Sequence, residues 1–481
     1  MKSSILFGII MSCLSWSIAQ QTLSLEDCIT LAKGESPTSK IAALDQQAVL
    51  ADFQAFEASL RPQVFLNTQL PGFTRSITGI LQDDGRTLFK TQNQTFSNMN
   101  MSFSQVIPLT GGRVSVFSSL SNFTFIDTTN FSTWQAAPLG IRINQPLFRL
   151  NTFKWERQEQ RLRKDLAEVS YLQEQENAGI QATQLYFEAL IGQVNVRRAE
   201  TNLVNNDTIF ELSKGRFSVG KIAENELLQS ELNFMKAQAA LSSAKLSLQE
   251  AKKRLLTFLD LSGTTDINLL EPGQISVVDI DPDKAVQYAM RNSSLIRRQA
   301  LQRQQAERRL REAKADNRFS ADITASFGLN QTGNSIKEAY NGLEDQETFT
   351  LGISVPIIQW GLGKAEVQAA SYRQQSLEES IKQEQANFAN DVYFQALNIS
   401  QLRRQLEISA RSDTVAQKRY GITKSRYLIG KVSIQDLYIA QQEKDQAQIA
   451  YFNNLSAYWL ALASLRSNTL FDFEKGIPIG N

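Results

Sequence analysis

The heptapeptide RFSVGKI at residues 216–222 occurs a second time, in similar form, as RYLIGKV at residues 426–432. A weaker match relates residues 25–61 to residues 282–318 without a gap. Both matches occur in the same order along the chain, which indicates an internal duplication. The sequence therefore predicts a fold built from two similar halves.

The composition argues against most kinds of active site. The 481-residue chain carries 50 Lys and Arg against 49 Asp and Glu, so its net charge of +1 gives no attraction for nucleic acid. It contains no His, which removes imidazole bases and His-ligated metals, and Cys13 and Cys28 are too few for a thiolate cluster. The segment GLG at residues 361–363 matches part of a dinucleotide-binding loop, but Glu366 stands at the third glycine position. We expect no enzyme activity, no cofactor, no metal and no nucleic-acid partner.

Residues 1–19 are typical of a cleaved secretory signal peptide. Lys2 precedes a short apolar run, and small residues at 17–19 form a cleavage site. A membrane anchor and a lipoprotein signal ending at Cys13 are the two alternatives. Beyond residue 19 no run of about 20 apolar residues occurs, so a membrane-crossing form of this chain would have to use strands.

Six segments alternate apolar and polar side chains, as strands with one buried face do. Four lie in the first half and two in the second, at residues 63–70, 97–108, 112–122, 137–146, 319–329 and 347–356. Their length of about 9–11 residues suits a tilted strand that crosses a membrane. A soluble β-sandwich is the alternative interpretation of the same pattern.

Each half is predicted to contain a helix before its strands and a long helical pair after them. The predicted parts are a first repeat at 23–270 with its pair at 153–260, a linker at 271–281, a second repeat at 282–470 with its pair at 362–470, and a tail at 471–481.

The helices have two further expected properties. We expect the first helix to run unbroken from Leu25 to Leu60. The shorter partner in each pair carries apolar residues at alternate steps of three and four, as at Leu241, Ala244, Leu248, Ala251 and Leu255. This spacing is that of a coiled-coil seam.

The two heptapeptides lie where each long helix turns into its shorter partner. Gly220 and Gly430 are free to adopt the left-handed conformation that ends a helix. Simple C-capping explains the glycines, but explains less well why Arg, aromatic, aliphatic and Lys residues recur around them. We therefore predict a protein-docking surface at these turns, formed by Arg216, Phe217, Val219, Gly220, Lys221, Arg426, Tyr427, Ile429, Gly430 and Lys431.

The chain resembles the TolC-type outer-membrane efflux family over about residues 23–470. The resemblance is carried by LEDC at 25–28, QPLF at 145–148 and the paired turns, which are weak singly but specific as an ordered, duplicated set. It implies an α+β membrane protein with two internal structural repeats. In such a homotrimer, strands of three chains close one transmembrane β-barrel, which a long periplasmic α-helical coiled-coil barrel continues.

The same resemblance implies a passive exit duct in the outer membrane of a Gram-negative bacterium, in contact with outer-membrane lipid. Such ducts belong to tripartite efflux or type I secretion systems. Their partners are a periplasmic membrane-fusion adaptor and an energised inner-membrane transporter. A secreted or surface coiled-coil scaffold or adhesion protein without a pore is the alternative, because it would use the same long helices.

Three details depart from the family pattern. The family's aperture acids follow the second turn, where Asp436 fits the first position but Ile439 occupies the second. A ring of three Asp436 carboxylates would hold cations at a narrow end, and an ordinary solvated helix residue is the equal alternative. Val432 stands where some relatives have a gate-latching basic residue. The family has four strands per protomer, whereas six are expected here; the extra hairpin around residues 108–112 either joins the barrel or folds outside or inside it.

Overall fold

The computed structural model describes residues 21–126, 131–261, 266–273 and 279–480. The expected signal peptide at residues 1–19, Cys13 and part of the expected linker lie outside the described residues. In chain order the elements are β1 (Gln21–Leu23), α1 (Leu25–Glu35), α2 (Pro37–Ser59), β2 (Gln63–Leu81), β3 (Thr87–Ile107), β4 (Gly112–Phe125), β5 (Phe131–Leu147), α3 (Thr152–Ser218), α4 (Glu224–Phe258), β6 (Ile267–Leu269), α5 (Pro282–Asn292), α6 (Ser294–Asp316), β7 (Ser320–Gly333), α7 (Ile336–Ala339), β8 (Glu344–Ser354), α8 (Leu362–Leu428), α9 (Ile434–Thr469), β9 (Phe471–Asp472) and β10 (Ile477–Pro478).

The same order of elements occurs in both halves. Two short helices precede the strands, and a helix of 67 residues follows them in each half. A helix of 35 residues in the first half and 36 in the second completes the repeat. None of the helices among the described residues combines the length and the apolar character that crossing a membrane requires.

The expectation of one unbroken helix from Leu25 to Leu60 was wrong. Ser36 has extended backbone, with φ −63 and ψ 148, and separates α1 from α2. Pro37 explains the break, because proline disfavours helical backbone in the residue before it. The second half repeats the break at Ser293, between α5 and α6.

The strands are longer than the alternating pattern indicated. β2 reaches Leu81 instead of residue 70, and β3 begins at Thr87 instead of residue 97. β5 begins at Phe131 instead of residue 137. The parts of these strands beyond the predicted bounds carry polar residues on both faces. The alternation of apolar and polar residues is therefore lost there, although backbone pairing continues.

The described residues divide into two compact units. The sheet unit consists of the described residues within 45–170 and 294–388, and the helical unit of those within 1–44, 171–293 and 389–481. α3 and α8 each contribute residues to both units.

The sheet unit contains one antiparallel sheet with the strand order β2-β3-β4-β5-β7-β8. β5 pairs with β7 from Trp134↔Gly333 to Leu147↔Ala321, which joins the strands of the two halves. β2 and β8 are the two edges.

The helical unit has a core of small and aromatic side chains. Cys28 in α1 and its duplicated counterpart Ala285 in α5 are both fully buried, as are Tyr186 in α3 and Tyr458 in α9. Burial raises the pKa of the Cys28 thiol to about 12, so this cysteine stays protonated. β1 pairs in parallel with β6, and the Tyr186 hydroxyl of this core donates to the Leu23 carbonyl of β1 at 3.5 Å.

An ion-pair network connects distant parts of the helical unit. The buried Glu176 carboxylate in α3 lies 2.5 Å from Lys33 Nζ in α1 and 2.9 Å from Arg466 Nε in α9. Arg466 also lies 3.2 Å from Asp472 in β9, which pairs with β10 to form the C-terminal hairpin. The network therefore fixes α1, α3, α9 and the C-terminal hairpin to one another.

Candidate functional site

The two long helices end in the same capped turn. At the end of α3 the Gly220 N–H donates to Phe217 O at 2.9 Å, and the Lys221 N–H donates to Arg216 O at 2.8 Å. At the end of α8 the corresponding bonds, from residues 430 and 431, are both 2.9 Å. This pair of bonds is the Schellman motif, in which the residue after the helix takes a left-handed conformation.

Glycine is required at both turns by backbone conformation and not by space. Gly220 has φ +69 and Gly430 has φ +75, a region that side-chain-bearing residues rarely adopt. A Cβ atom added to either residue would meet nothing within 4 Å. The predicted left-handed helix ends are thus present at both turns.

The two turns are tied together by Arg216. Its Nη2 atom donates to the carbonyl oxygens of Tyr427 at 3.2 Å and Leu428 at 3.0 Å. Its guanidinium also lies 5.1 Å from the centre of the Tyr427 ring. A cation at this point satisfies the Leu428 carbonyl, gives the Tyr427 carbonyl a second donor beside the Gly430 N–H, and offsets the negative end of the α8 helix dipole.

The duplicated side chains have unequal surroundings. Tyr427 is 4% exposed and belongs to a buried cluster with Ile209, Ile434 and Leu437, whereas its counterpart Phe217 is 42% exposed. The structure therefore assigns Tyr427 to the core beneath the turns.

The remaining predicted residues lie on the surface of the turns. Val219 is 65% exposed and Ile429 is 66% exposed. The other exposed members of the predicted surface are Gly220, Lys221, Arg426, Gly430 and Lys431, and Arg216 is half-buried. Together with Phe217, the turns thus present three exposed apolar side chains among cationic ones.

Asp436 has a local structural role. Its carboxylate accepts bonds from the Ser433 N–H at 3.1 Å and the Ser433 hydroxyl at 2.7 Å, and its own N–H donates to Ser433 Oγ at 3.1 Å. This capping box begins α9 and holds the pKa of Asp436 below its usual value, with a smaller contribution from Arg419. Ala223 begins α4 without a side-chain cap, so the two turns differ here.

Val432 and Ile439 differ from each other in position. Val432 packs against the buried cluster beneath the turns. Ile439 is 41% exposed on α9. Val432 therefore contributes to packing and carries no latching charge.

The sheet has two chemically different faces. Residues directly opposite on neighbouring strands share a face, so the register assigns each side chain. One face, called the apolar face, carries Val64, Leu66, Met99, Met101, Phe103, Val114, Val116, Leu120, Leu139, Ile141, Ile143, Ile323, Phe327, Leu329, Phe349, Leu351 and Ile353. The opposite face, called the polar face, carries Asn67, Asn98, Asn100, Ser102, Ser104, Ser115, Ser119, Ser121, Gln135, Asn144, Thr324, Ser326, Gln346, Thr348 and Thr350.

Side-chain hydrogen bonds run across the polar face. The Asn98 amide donates to Ser121 Oγ at 3.0 Å, and the Thr324 hydroxyl donates to Asn144 Oδ1 at 3.1 Å. The Arg142 guanidinium lies 5.0 Å from the centre of the Phe117 ring on the same face. One face is thus suited to water and the other to hydrocarbon, as strands of a membrane barrel require.

No group of acidic, His or Cys residues that could hold a metal ion occurs within residues 21–126, 131–261, 266–273 and 279–480. Sequence reasoning missed the Lys33–Glu176–Arg466 network and the capping Ser433. The network leaves no local pattern, but the Ser-x-x-Asp spacing of residues 433–436 is a signal for a capping box.

The family model for "Outer membrane efflux protein" matches residues 29–259 and 285–469. The chain belongs to the outer membrane efflux protein family. A comparison with curated proteins found no match. Members of the family are channels, so a poreless scaffold no longer accounts for the chain.

Solved structures support the same fold. The Campylobacter jejuni CmeC outer membrane channel is similar with a TM-score of 0.69 and 16% identity, over 95% of this chain and 87% of that one. VceC of Vibrio cholerae gives 0.65 and 13%, over 94% and 96%. The Neisseria gonorrhoeae MtrE outer membrane channel gives 0.61 and 15%, over 93% and 89%.

Family membership and fold together identify the class of protein. The chain is a TolC-like efflux protein of the Gram-negative outer membrane, with a trimeric β-barrel and a large periplasmic helical portion. It serves as the exit duct of a tripartite efflux system.

Proposed function

We propose that the homotrimer conducts its cargo passively and docks a periplasmic membrane-fusion adaptor through the two turns around Gly220 and Gly430. The inner-membrane transporter, in an efflux or a type I secretion system, supplies the energy. The adaptor opens the duct if it binds the open state more tightly than the closed one.

The exposed apolar pair Val219 and Ile429 carries this proposal. Each side chain is about two-thirds exposed at the end of a helical pair, so most of its apolar surface lies in water. Cationic side chains surround the pair, so a partner with an apolar centre and an acidic rim fits it. Two such turns in each protomer give six docking points in a trimer.

Asp436 is proposed to act in two ways. It caps α9, and three copies in the trimer form a ring of carboxylates that attracts cations at the aperture. The lowered pKa of Asp436 keeps this ring charged at neutral pH.

The test is a double substitution, Val219→Asp with Ile429→Asp, assayed by adaptor-dependent export and by cross-linking to the co-expressed adaptor. We expect export to be lost while trimers still reach the outer membrane, because exposed side chains contribute little to folding. Val219→Ile with Ile429→Val is the matched control, since it keeps both residues apolar, and it should export normally. Normal export by the Asp variant would contradict docking at these turns.

A backbone test complements it. Gly220→Val and Gly430→Val force a branched residue into left-handed conformation and should rearrange the turn. Gly215→Val and Gly421→Val are matched controls, because a Cβ at these helical glycines also meets nothing within 4 Å but needs no positive φ. If the control pair abolishes export as fully as the turn pair, the loss comes from the added side chain and not from the turn.

A further inference from the structure

The sheet of one protomer ends in two open edges, β2 and β8. Backbone N–H and C=O groups on the outer side of an edge strand need partners within a membrane. We infer that three copies close an eighteen-stranded barrel, in which β2 of one protomer pairs with β8 of the next. The inference rests on the trimeric assembly of the family and adds the strand number and the seam.

The hairpin around residues 108–112, which β3 and β4 form, is part of the sheet. β3 pairs with β4 without a bulge from Gln94↔Phe125 to Ile107↔Gly112. A barrel that uses only β4, β5, β7 and β8 of each protomer, with β2 and β3 left outside, needs β4 at the edge, free to pair with a neighbour. Here β3 occupies that side of β4, so the open edge lies on β2.

Strand direction allows β2 to pair with β8 of a neighbour. The six strands alternate in direction along the order β2-β3-β4-β5-β7-β8. An even number of antiparallel strands leaves the first and last running in opposite directions. When β2 meets the neighbouring β8, the new pair is therefore antiparallel, as in all other pairs of a membrane barrel.

The two edge strands also match in side-chain chemistry. Val64 and Leu66 lie on the apolar face of β2, and Leu351 and Ile353 lie on the apolar face of β8. Their polar faces carry residues such as Asn67 and Thr350. Joining the edges therefore continues the apolar face and the polar face across the seam.

The strands are staggered in the way that closure requires. One row of directly paired residues crosses the sheet through Gln63, Ser104, Ser115, Arg142, Ser326 and Thr348. Gln63 is the first residue of β2, whereas β8 continues six residues beyond Thr348 to Ser354. A shift of six residues, about 20 Å, over the six strand spacings of about 4.8 Å that each protomer contributes, the seam included, gives a tilt of about 35°, within the range of closed barrels.

This stagger sets the register and the width of the barrel. With the strand ends level, Gln63 lies opposite Ser354 of the neighbour, and Asn67 lies opposite Thr350. Eighteen strands at this tilt give a backbone diameter of about 34 Å, against about 23 Å for twelve. The cross-section more than doubles, so the barrel admits bulkier cargo than a twelve-stranded one.

The test is disulfide cross-linking of trimers in outer membranes, in a Cys28→Ala background. Asn67→Cys combined with Thr350→Cys should give a covalent trimer on oxidation, because both side chains lie on the polar face of the seam. Asn67→Cys with Phe349→Cys is the matched control, since those side chains lie on opposite faces, and it should stay monomeric on denaturing gels. Linkage to Thr348→Cys or Gly352→Cys, in place of Thr350→Cys, would keep the seam but shift the register by two residues.

The rival arrangement makes the opposite prediction. If β2 and β3 lie outside the barrel, Ser119→Cys on β4 should link to Thr348→Cys of the neighbour, and Asn67→Cys should link to none of the β8 cysteines. A cross-link between Ser119→Cys and Thr348→Cys, or assembled trimers in which Asn67→Cys forms no cross-link with any β8 cysteine, overturns the inference.

A pair of arginine substitutions tests whether β3 is part of the barrel wall, even if the cysteine variants fail to assemble. Met101 lies on the apolar face of β3 and Asn100 on its polar face. In an eighteen-stranded barrel Met101→Arg faces lipid and should reduce trimers at least tenfold, whereas Asn100→Arg faces water and should not. If the two substitutions reduce the amount of trimer equally, or if neither reduces it, the inference is overturned. The trimeric assembly of the family and its export remain testable with the unmodified chain.

Discussion

Removing Arg216 should loosen the second turn, although Arg216 belongs to the first. Its guanidinium donates to the carbonyls of Tyr427 at 3.2 Å and Leu428 at 3.0 Å and lies 5.1 Å from the centre of the Tyr427 ring. Two partly exposed charged hydrogen bonds and one cation–π contact are together worth about 1–2 kcal/mol. Arg216→Ala should therefore make opening of the second turn about 5- to 30-fold more frequent.

Hydrogen exchange measures this opening directly. The Gly430 and Lys431 amides bond to the carbonyls of Tyr427 and Arg426, so they exchange only when the turn opens. In Arg216→Ala trimers their exchange should accelerate by the same factor. Arg426→Ala is the matched control, because Arg426 is the exposed counterpart in the second copy, and it should change exchange by no more than about twofold. Equal acceleration of exchange in both variants, or no acceleration in Arg216→Ala, would refute the role of Arg216 in holding the two turns together.

Two further predictions concern charged groups. Glu176→Gln should lower the melting temperature of the periplasmic helices by about 4–10 °C, because it leaves Lys33 without its carboxylate and Arg466 with Asp472 alone, whereas Glu168→Gln, in an exposed pair 3.8 Å from Lys164, should leave it unchanged. Asp436→Asn should reduce cation selectivity in bilayer recordings, and Ser433→Ala, which removes the cap but keeps the charge, should not; equal effects would mean that Asp436 serves only as a cap. Since the pKa of Asp436 is lowered, the stability that the capping box gives α9 is fully present above the ordinary value of 3.8 and is lost as the pH falls through the lowered pKa, which acid-dependent exchange of α9 amides would detect.

The features set by local sequence could be predicted. The ends of α3 and α8 follow from Gly220 and Gly430, and the duplication makes each assignment support the other. The central parts of the strands follow from alternation, because one face is apolar and the other polar. The family resemblance then supplied the assembly that no single protomer contains.

Features set by distant contacts could not be predicted. Lys33 and Glu176 are 143 residues apart, and no periodicity links them. β1 and β6 are too short to show alternation and pair only because the fold brings them together. The unequal burial of Phe217 and Tyr427 likewise arises from packing, since the two turns are nearly identical in sequence.

The interpretation of Asp436 illustrates a missed local signal. The family pattern predicts an aperture role for Asp436, whereas Ser433, three residues earlier, forms a capping box with it. Ser24 and Asp27 form the same box at the start of α1. A carboxylate at this position therefore has a structural reason in both helices, and only a functional assay separates that reason from a gating role.

The most direct test of the duct is the current that purified trimers carry in a planar lipid bilayer. A closed barrel with a polar inner face and an apolar outer face should give stepwise ion currents of one unit size per inserted trimer. Arg216→Ala, which loosens the turns, should give an equal or larger unit current. Trimers that insert into the bilayer, as judged by protease protection of their strands, and yet carry no current in either form would contradict a continuous water-filled passage.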